Sequence, residues 1–385
     1  MLKYQDLPQT TVRPHALRQF VSEAPRSEDR NLDVLRAIAV LFVFVGHLFD
    51  FWFGGAAVLG DWLHGMTRMG VILFFVHTSL VLMRSLERLA PGNPHFMREF
   101  YIRRIFRIYP LAICSIVVAL VFRIPWRYGM TAWVAVPSAK QVISNLLLIQ
   151  NLTHQESIIS PLWSLPLEVQ MYVVLPFLFI LFSSRVRWIS YMVAAWGLSL
   201  VAALSMAFLT GHMNLLTYIP CFLSGVVAYR CRFAQRRWSF VFWPCLIVVS
   251  SLLASACFQM DREVLNLVWE WPVALLLGLT WHTFHEVGSA AVTKTAHWIA
   301  KYSFGIYLWH HIIMFIVFNR LPIGSGVVRA LIVAAGTAAA SMVSFHLIED
   351  PLISAGKRVA AFSKRVRTRS DSRRPGSPMR IPVQV

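Results

Sequence analysis

Long, nearly unbroken apolar runs set the pattern of this chain, with polar and charged residues gathered in the short stretches between them. A helix needs about 20 mostly apolar residues to cross the hydrocarbon of a bilayer. Ten runs meet or approach that length: 33–53, 68–86, 109–124, 161–182, 188–208, 214–230, 239–257, 267–285, 303–319 and 326–348, the third and sixth being short. In lipid a segment must satisfy its own backbone hydrogen bonds, which favours helices. The pattern predicts an all-α polytopic membrane protein with about ten transmembrane helices. The two halves show no convincing similarity, which weakens a transporter built from inverted repeats.

Basic residues are shared unequally between the connections. With residues 1–32 inside, the inner segments hold 28 of the 36 Lys and Arg, the outer ones seven, and Arg36 lies within the first helix. That asymmetry is what positive-inside orientation requires, and an even helix number puts both termini in the cytoplasm. Three parts follow: a basic N-terminal segment (1–32), a ten-helix membrane domain (33–352) and a basic tail (353–385) rich in Ser and Pro, expected to be disordered. That tail is read as a solvated orientation signal, with contact to anionic headgroups as the alternative. Residues 1–32 lack the apolar stretch of a cleavable signal, so the first run is expected to act as an uncleaved anchor. The longest outer connection, 125–160, contains NLLLIQNL (145–152), placed to pack back onto the helices.

Composition agrees: 57% of residues are hydrophobic and 14% charged, against about a quarter charged in an ordinary soluble domain. Mean hydropathy is +0.59. A net charge of +18 would suggest nucleic acid in a soluble protein, but here the positive-inside bias accounts for it, and no nucleic acid partner is expected. Five cysteines show neither CxxC nor His/Cys spacing for a metal, so neither a metal nor a disulfide framework is expected.

Ionisable groups inside a spanning helix are costly and usually mark function. The first helix holds two, Arg36 and His47. Eleven residues leave them about 20° apart in azimuth and roughly 16 Å apart along the axis. One face thus carries a cation near the cytoplasm and an imidazole about three turns deeper, a span comparable to an extended pantetheine arm. Arg36 alone would read as a snorkelling anchor, and His47 alone as a core histidine bonded to a carbonyl. Their pairing on one face points to a channel in which Arg36 holds phosphate and His47 meets a thioester.

These residues carry a resemblance. The chain resembles the acyltransferase-3 family of multi-pass membrane acyltransferases, whose first helix has an arginine, ten residues and then a histidine. GVILFFVHTSLVLMRSL (70–86), FYIRRIFRIYP (100–110), PLWSLPLEVQMYVVLP (161–176), YSFGIYLWHHII (302–313) and IEDP (348–351) resemble further family segments in order, over about residues 30–352. One departure stands in the second helix, where the family usually has Ser-Gly-Phe and this chain reads Ser79-Leu80 without the glycine. Glycine permits close helix approach, so packing and acceptor shape are expected to differ there. His77 lies at this divergent site, either touching substrate or hydrogen-bonded structurally.

The resemblance implies transfer of an acyl group from acyl-CoA to a hydroxyl of a carbohydrate, cell-surface glycan or other hydroxylated acceptor. Acetyl-CoA is the first expectation as donor, with succinyl as an alternative. Topology sorts the remaining residues by depth. Arg103, Arg104 and Arg107 fall on the cytoplasmic side just before the third helix, and with Arg36 form a basic mouth suited to the phosphates of coenzyme A. Arg103 and Arg107 are spaced i, i+4 and share a face; an ordinary positive-inside loop is the alternative. Counted from Pro161, Glu168 lies at a depth similar to His47, about 10 Å below the outer boundary. It is expected to orient His47, the catalytic base, or to bind the acceptor hydroxyl.

Trp163, Ser164 and Tyr172 accompany Glu168, with Trp163 an interfacial anchor or a platform for a sugar ring. Ser303, Tyr307 and His310 share a face of the ninth run and either line the donor path or join helices. Glu349 and Pro351 are expected to cap the last helix at the cytoplasmic surface. Transfer across the plasma membrane (the inner membrane of a bacterium) is the expectation. A transporter of a polar or anionic solute would lack a reason for the Arg36–His47 spacing, and a non-catalytic sensor would tolerate loss of His47.

Overall fold

The computed structural model describes residues 30–53, 58–125, 136–183, 188–210, 214–231, 238–258 and 263–371. Residues 1–29 of the N-terminal segment, Arg127, Arg262 and tail residues 372–385 lie outside the described residues. The described chain is helical throughout, with one isolated parallel bridge, Trp238 to Phe284. The helices are α1 Arg30–Phe53, α2 Val58–Leu89, α3 Phe96–Val121, α4 Ala139–Leu146, α5 Leu165–Ser183, α6 Trp188–Thr210, α7 Leu215–Arg230, α8 Phe242–Phe258, α9 Glu263–Thr280, α10 Ala290–Asn319, α11 Gly326–Ser344 and α12 Asp350–Asp371.

Every one of the ten apolar runs falls on a helix, and among the described residues six spans are long and apolar enough to cross a membrane. These are Arg30–Phe53, Gly65–Leu89, Phe96–Val121, Ser160–Phe182, Ala290–Asn319 and Gly326–Phe362. This is an integral membrane protein.

α1 packs against both α2 and α10, and α2 also packs on α7 and α8. Arg36 sits opposite Ser303, and His47 opposite His310, so numbering rises in the same direction along the facing helices α1 and α10. α7 approaches α2 closely where Gly225 faces it. A methyl group on Gly225 would lie 2.2 Å from the Val76 carbonyl oxygen and 2.7 Å from Ser79 Cβ. The glycine missing from α2 is therefore matched by one on the helix across from it, and backbone contact at the divergent site survives.

Three boundaries depart from the sequence expectation. The arginine run expected before the third span lies inside α3, because Phe96–Val121 is one continuous helix. The last span passes through a π-helical turn, Phe345–Glu349, and continues as α12, so residues 353–371 of the tail, expected to be disordered, are helical. Third, the 136–164 connection is folded. Fully buried Asn145 donates from Nδ2 to the Glu156 carbonyl (2.9 Å) and accepts at Oδ1 from the Ile158 amide (3.0 Å). Gln150 donates to the Leu162 carbonyl at 3.0 Å, and Leu148, Ile158, Ile159 and Leu162 are buried. The connection packs back onto the helices, as its apolar stretch predicted.

Candidate active site

A cavity opens where α1, α2, α3, α5 and α10 meet. Arg36, His77, Arg104, Arg107, Ser164, Glu168, Tyr172, Ser303 and Tyr307 all line it, with an apolar wall from Phe74 and Phe75 of α2 and Phe304 of α10. Five elements distant in sequence thus contribute to one polar chamber inside a mostly apolar body.

Arg36 is held from α10. Its Nε donates to Ser303 Oγ at 2.6 Å, and the Ser303 hydroxyl donates onward to the Ala300 carbonyl at 2.8 Å. Serine is small enough to let α1 and α10 approach, and its proton is spent one turn back on its own helix. The guanidinium is fixed at one end and presents its other nitrogens for ligation.

α3 supplies two more guanidiniums. Phe100, Arg104 and Arg107 follow at i, i+4 and i+7, one inward stripe. Phe100 is fully buried and Arg104 lies over its ring, 5.6 Å from the centroid. Arg107 pairs with Glu349 (3.4 Å). Arg104 Nε is buried and has no hydrogen-bond partner among the described residues. Arg103 does not join them. It turns to Glu99 on its own helix, and its side chain is one-third exposed. The expectation that Arg103 and Arg107 share the mouth is corrected here: the stripe facing the neighbouring helices passes through Arg104.

Glu168 accepts a hydrogen bond from the Tyr172 hydroxyl one turn along α5. Both share the cavity with Arg36 rather than with His47. The depth expected for Glu168 took Pro161 as the membrane boundary, but the folded connection has already descended by that point. The Tyr307 hydroxyl donates to the Pro161 carbonyl at 2.7 Å, so it accepts from Ser164 Oγ at 2.6 Å. A short 3₁₀ turn, Ser160–Trp163, with proline at its start, makes the entry into α5. Tyr307 stands one turn beyond Ser303, about 6 Å along α10, and α5 then runs back toward Arg36.

His47 lies past Tyr307. Its Nδ1 is 2.8 Å from His310 Nε2, and His310 Nδ1 is 3.0 Å from the Ile306 carbonyl. His47 is 7% exposed and His310 fully buried, so the pair is shielded from lipid by protein. His47 is not among the residues lining the cavity; the Tyr307 ring closes that end, 6.1 Å from the His310 ring. The cavity thus ends at Tyr307, itself packed against Phe74 at 5.9 Å, and does not run on to His47 as the sequence led one to expect.

The other candidates separate. His77 lines the cavity and is buried. Trp163 packs on Tyr218, ring centres 5.7 Å apart, and is not in the lining. His311, on another azimuth, sits 3.0 Å from the Pro125 carbonyl and anchors the connection. Glu349 was expected at the surface but is 2% exposed, at the end of the π turn and against Arg107. The one sequence sign of this was a carboxylate directly after the last apolar run, and π-helical turns often accompany functional sites.

Three guanidiniums against two carboxylates, Glu168 in the cavity and Glu349 behind Arg107, leave a surplus of positive charge, with buried donor capacity on Arg104. Such a chamber asks for an anion, and guanidinium groups bind phosphate oxygens in pairs.

Comparison with known proteins points the same way. The chain is 25% identical over 378 residues to a Bacillus subtilis (strain 168) protein provisionally named peptidoglycan O-acetyltransferase YrhL, covering 87% of this chain and 56% of that protein. It is 24% identical over 358 residues to the peptidoglycan O-acetyltransferase OatA of Listeria monocytogenes serovar 1/2a (strain ATCC BAA-679 / EGD-e), covering 84% of this chain and 55% of OatA. The chain therefore spans just over half the length of these relatives. No solved structure matches it. The family model described as an acyltransferase domain, Acyl_transf_3, matches residues 29–346. With that match over most of its length, the chain belongs to the acyltransferase-3 family.

Proposed function

We propose that this protein is a membrane O-acetyltransferase that moves an acetyl group from acetyl-CoA to a hydroxyl of a cell-wall glycan, peptidoglycan being the first candidate. The carrying observation is the convergence of Arg36, Arg104 and Arg107 on one cavity at the opposite end of α1 from a buried, hydrogen-bonded His47. In this reading the guanidiniums hold phosphate groups of coenzyme A, and the pantetheine arm extends along α1 toward His47 once the Tyr307 side chain turns aside. The thioester then meets His47. Glu168 and Tyr172 balance the charge of the cavity and orient the donor. The names of the two relatives support the glycan acceptor.

Ten spans, both termini in the cytoplasm of a bacterial plasma membrane, and transfer from an inner donor to an outer acceptor complete the proposal. The positive-inside count supports it, as does the placement of Arg36 at the start of α1 and His47 near its end. His47 removes the proton from the acceptor hydroxyl, or takes the acetyl group first as an acyl-imidazole. Incubation with radiolabelled acetyl-CoA and no acceptor distinguishes the two, since only the relay leaves label on the protein.

The decisive test is mass spectrometry of cell-wall glycan from cells with the gene, without it, and with His47→Ala. One acetyl unit per modified sugar is expected only with the intact gene. An unchanged glycan in all three would refute the assignment. A transporter of an anionic solute would also use a cationic cavity; the purified protein would then release no coenzyme A from acetyl-CoA.

A further inference from the structure

We propose that His310 is a positioning residue that fixes which ring nitrogen of His47 is reactive. This rests on His47 being the group that meets the thioester or the acceptor hydroxyl. A carbonyl oxygen has no proton to give, so His310 Nδ1, 3.0 Å from the Ile306 carbonyl, carries the hydrogen. A neutral imidazole has one N–H, which makes His310 Nε2 an acceptor. His47 Nδ1, 2.8 Å away, is therefore the donor, and the lone pair of neutral His47 lies on Nε2.

Ring geometry agrees. The two imidazoles are 5° from parallel with centres 5.1 Å apart. Face-to-face rings would lie at van der Waals distance, about 3.5–4.0 Å. The separation here suits rings set edge to edge, with the N–H directed along the acceptor lone pair in a shared plane. A backbone carbonyl of α10 thus dictates, through two hydrogen bonds, the tautomer of a residue on α1. Backbone cannot change its protonation, so the setting holds for as long as His310 is neutral.

In the reaction, Nε2 takes the proton of the acceptor hydroxyl as its oxygen bonds to the thioester carbon. The carbon–sulfur bond breaks, and the proton on Nε2 passes to the departing sulfur. His47 keeps its Nδ1–H on His310 throughout. In the relay variant Nε2 itself bonds to the acetyl carbon as the carbon–sulfur bond breaks and coenzyme A departs as thiolate. The acceptor oxygen then bonds to that carbon as the Nε2–carbon bond breaks, and the hydroxyl proton ends on the coenzyme A sulfur. Either route needs the same nitrogen.

Two experiments on the full chain in detergent test this. In the first, coenzyme A release from acetyl-CoA is measured with a chitin oligosaccharide as acceptor. His310→Met, which offers no comparable acceptor, is expected to lower kcat about 10–100-fold, the usual scale for loss of an orienting partner, with KM for acetyl-CoA unchanged. His310→Gln, whose amide oxygen can take the place of Nε2, is expected to recover most of that loss. Equal kcat for all three proteins, or equal loss in both variants, would overturn the role.

The second experiment needs no variant. Wild-type protein is treated with bromoacetyl-CoA and the alkylated histidine isomers are separated after hydrolysis. Nε2-alkylated His47 is expected, and the Nδ1 isomer would overturn the tautomer even if the variants fail to fold. Absence of turnover and of alkylation in the wild type would instead count against the acetyltransferase reading itself.

Discussion

One step along a helix turns a side chain by about 100°, and that rotation separates Arg103 from Arg104. Arg104 lines the cavity with Arg107, while Arg103 turns to Glu99. Arg104→Ala or Arg107→Ala should raise KM for acetyl-CoA by about 10–100-fold, since each charge-assisted hydrogen bond contributes roughly 1.5–3 kcal/mol. Arg103→Ala should change it less than about fivefold, as expected for a pair within one helix and outside the cavity. Initial rates across a range of donor concentrations separate the three. Glu168→Gln should lower kcat at least about tenfold if the carboxylate balances the guanidiniums; full activity in a folded variant would remove it from the site. Helical arithmetic alone placed Arg36 and His47 on one face. It was blind to which face of α3 meets its neighbours, because that depends on residues of other helices, α2, α5, α10 and α12 among them. The His47–His310 bond was equally hidden: two histidines 263 residues apart carry no mutual signal in one sequence.

Helices themselves were legible and their junctions were not. All ten apolar runs fell on helices, since burial in lipid leaves the backbone few other options. The descent of the 136–164 connection, which shifts Glu168 from the His47 level to the Arg36 level, depends on Asn145 and Gln150 finding carbonyls 11 and 12 residues further along the same connection. Contact between elements yields two predictions. Gly225→Ala should lose about 1–3 kcal/mol, because the added methyl meets the Val76 carbonyl and there is no flexible side chain to give way. Gly197→Ala, with nothing within 4 Å of the new methyl, should instead be neutral or gain up to about 1 kcal/mol from helix propensity. Thermal unfolding in detergent compares them. Arg68 of α2 and Glu270 of α9 form a buried ion pair at 2.7 Å. Arg68→Ala should cost about 3–5 kcal/mol by stranding the carboxylate, and replacing both residues with Met should recover most of that loss.

Over the whole molecule, the positive-inside bias predicts that reporters fused to either end are both active only in the cytoplasm. A signal from outside the cytoplasm at one end would mean an odd number of crossings and would undo the proposed donor-inside, acceptor-outside arrangement. Sequence by itself determined the membrane setting, the helical class and the Arg36–His47 stripe, because hydropathy and helical periodicity are properties of neighbours along the chain. Tertiary structure decided which arginines share the cavity, how deep Glu168 sits, that Tyr307 closes the path, and which histidine holds His47. Each of those depends on side chains brought together from separate helices, and only packing fixes their distance and angle.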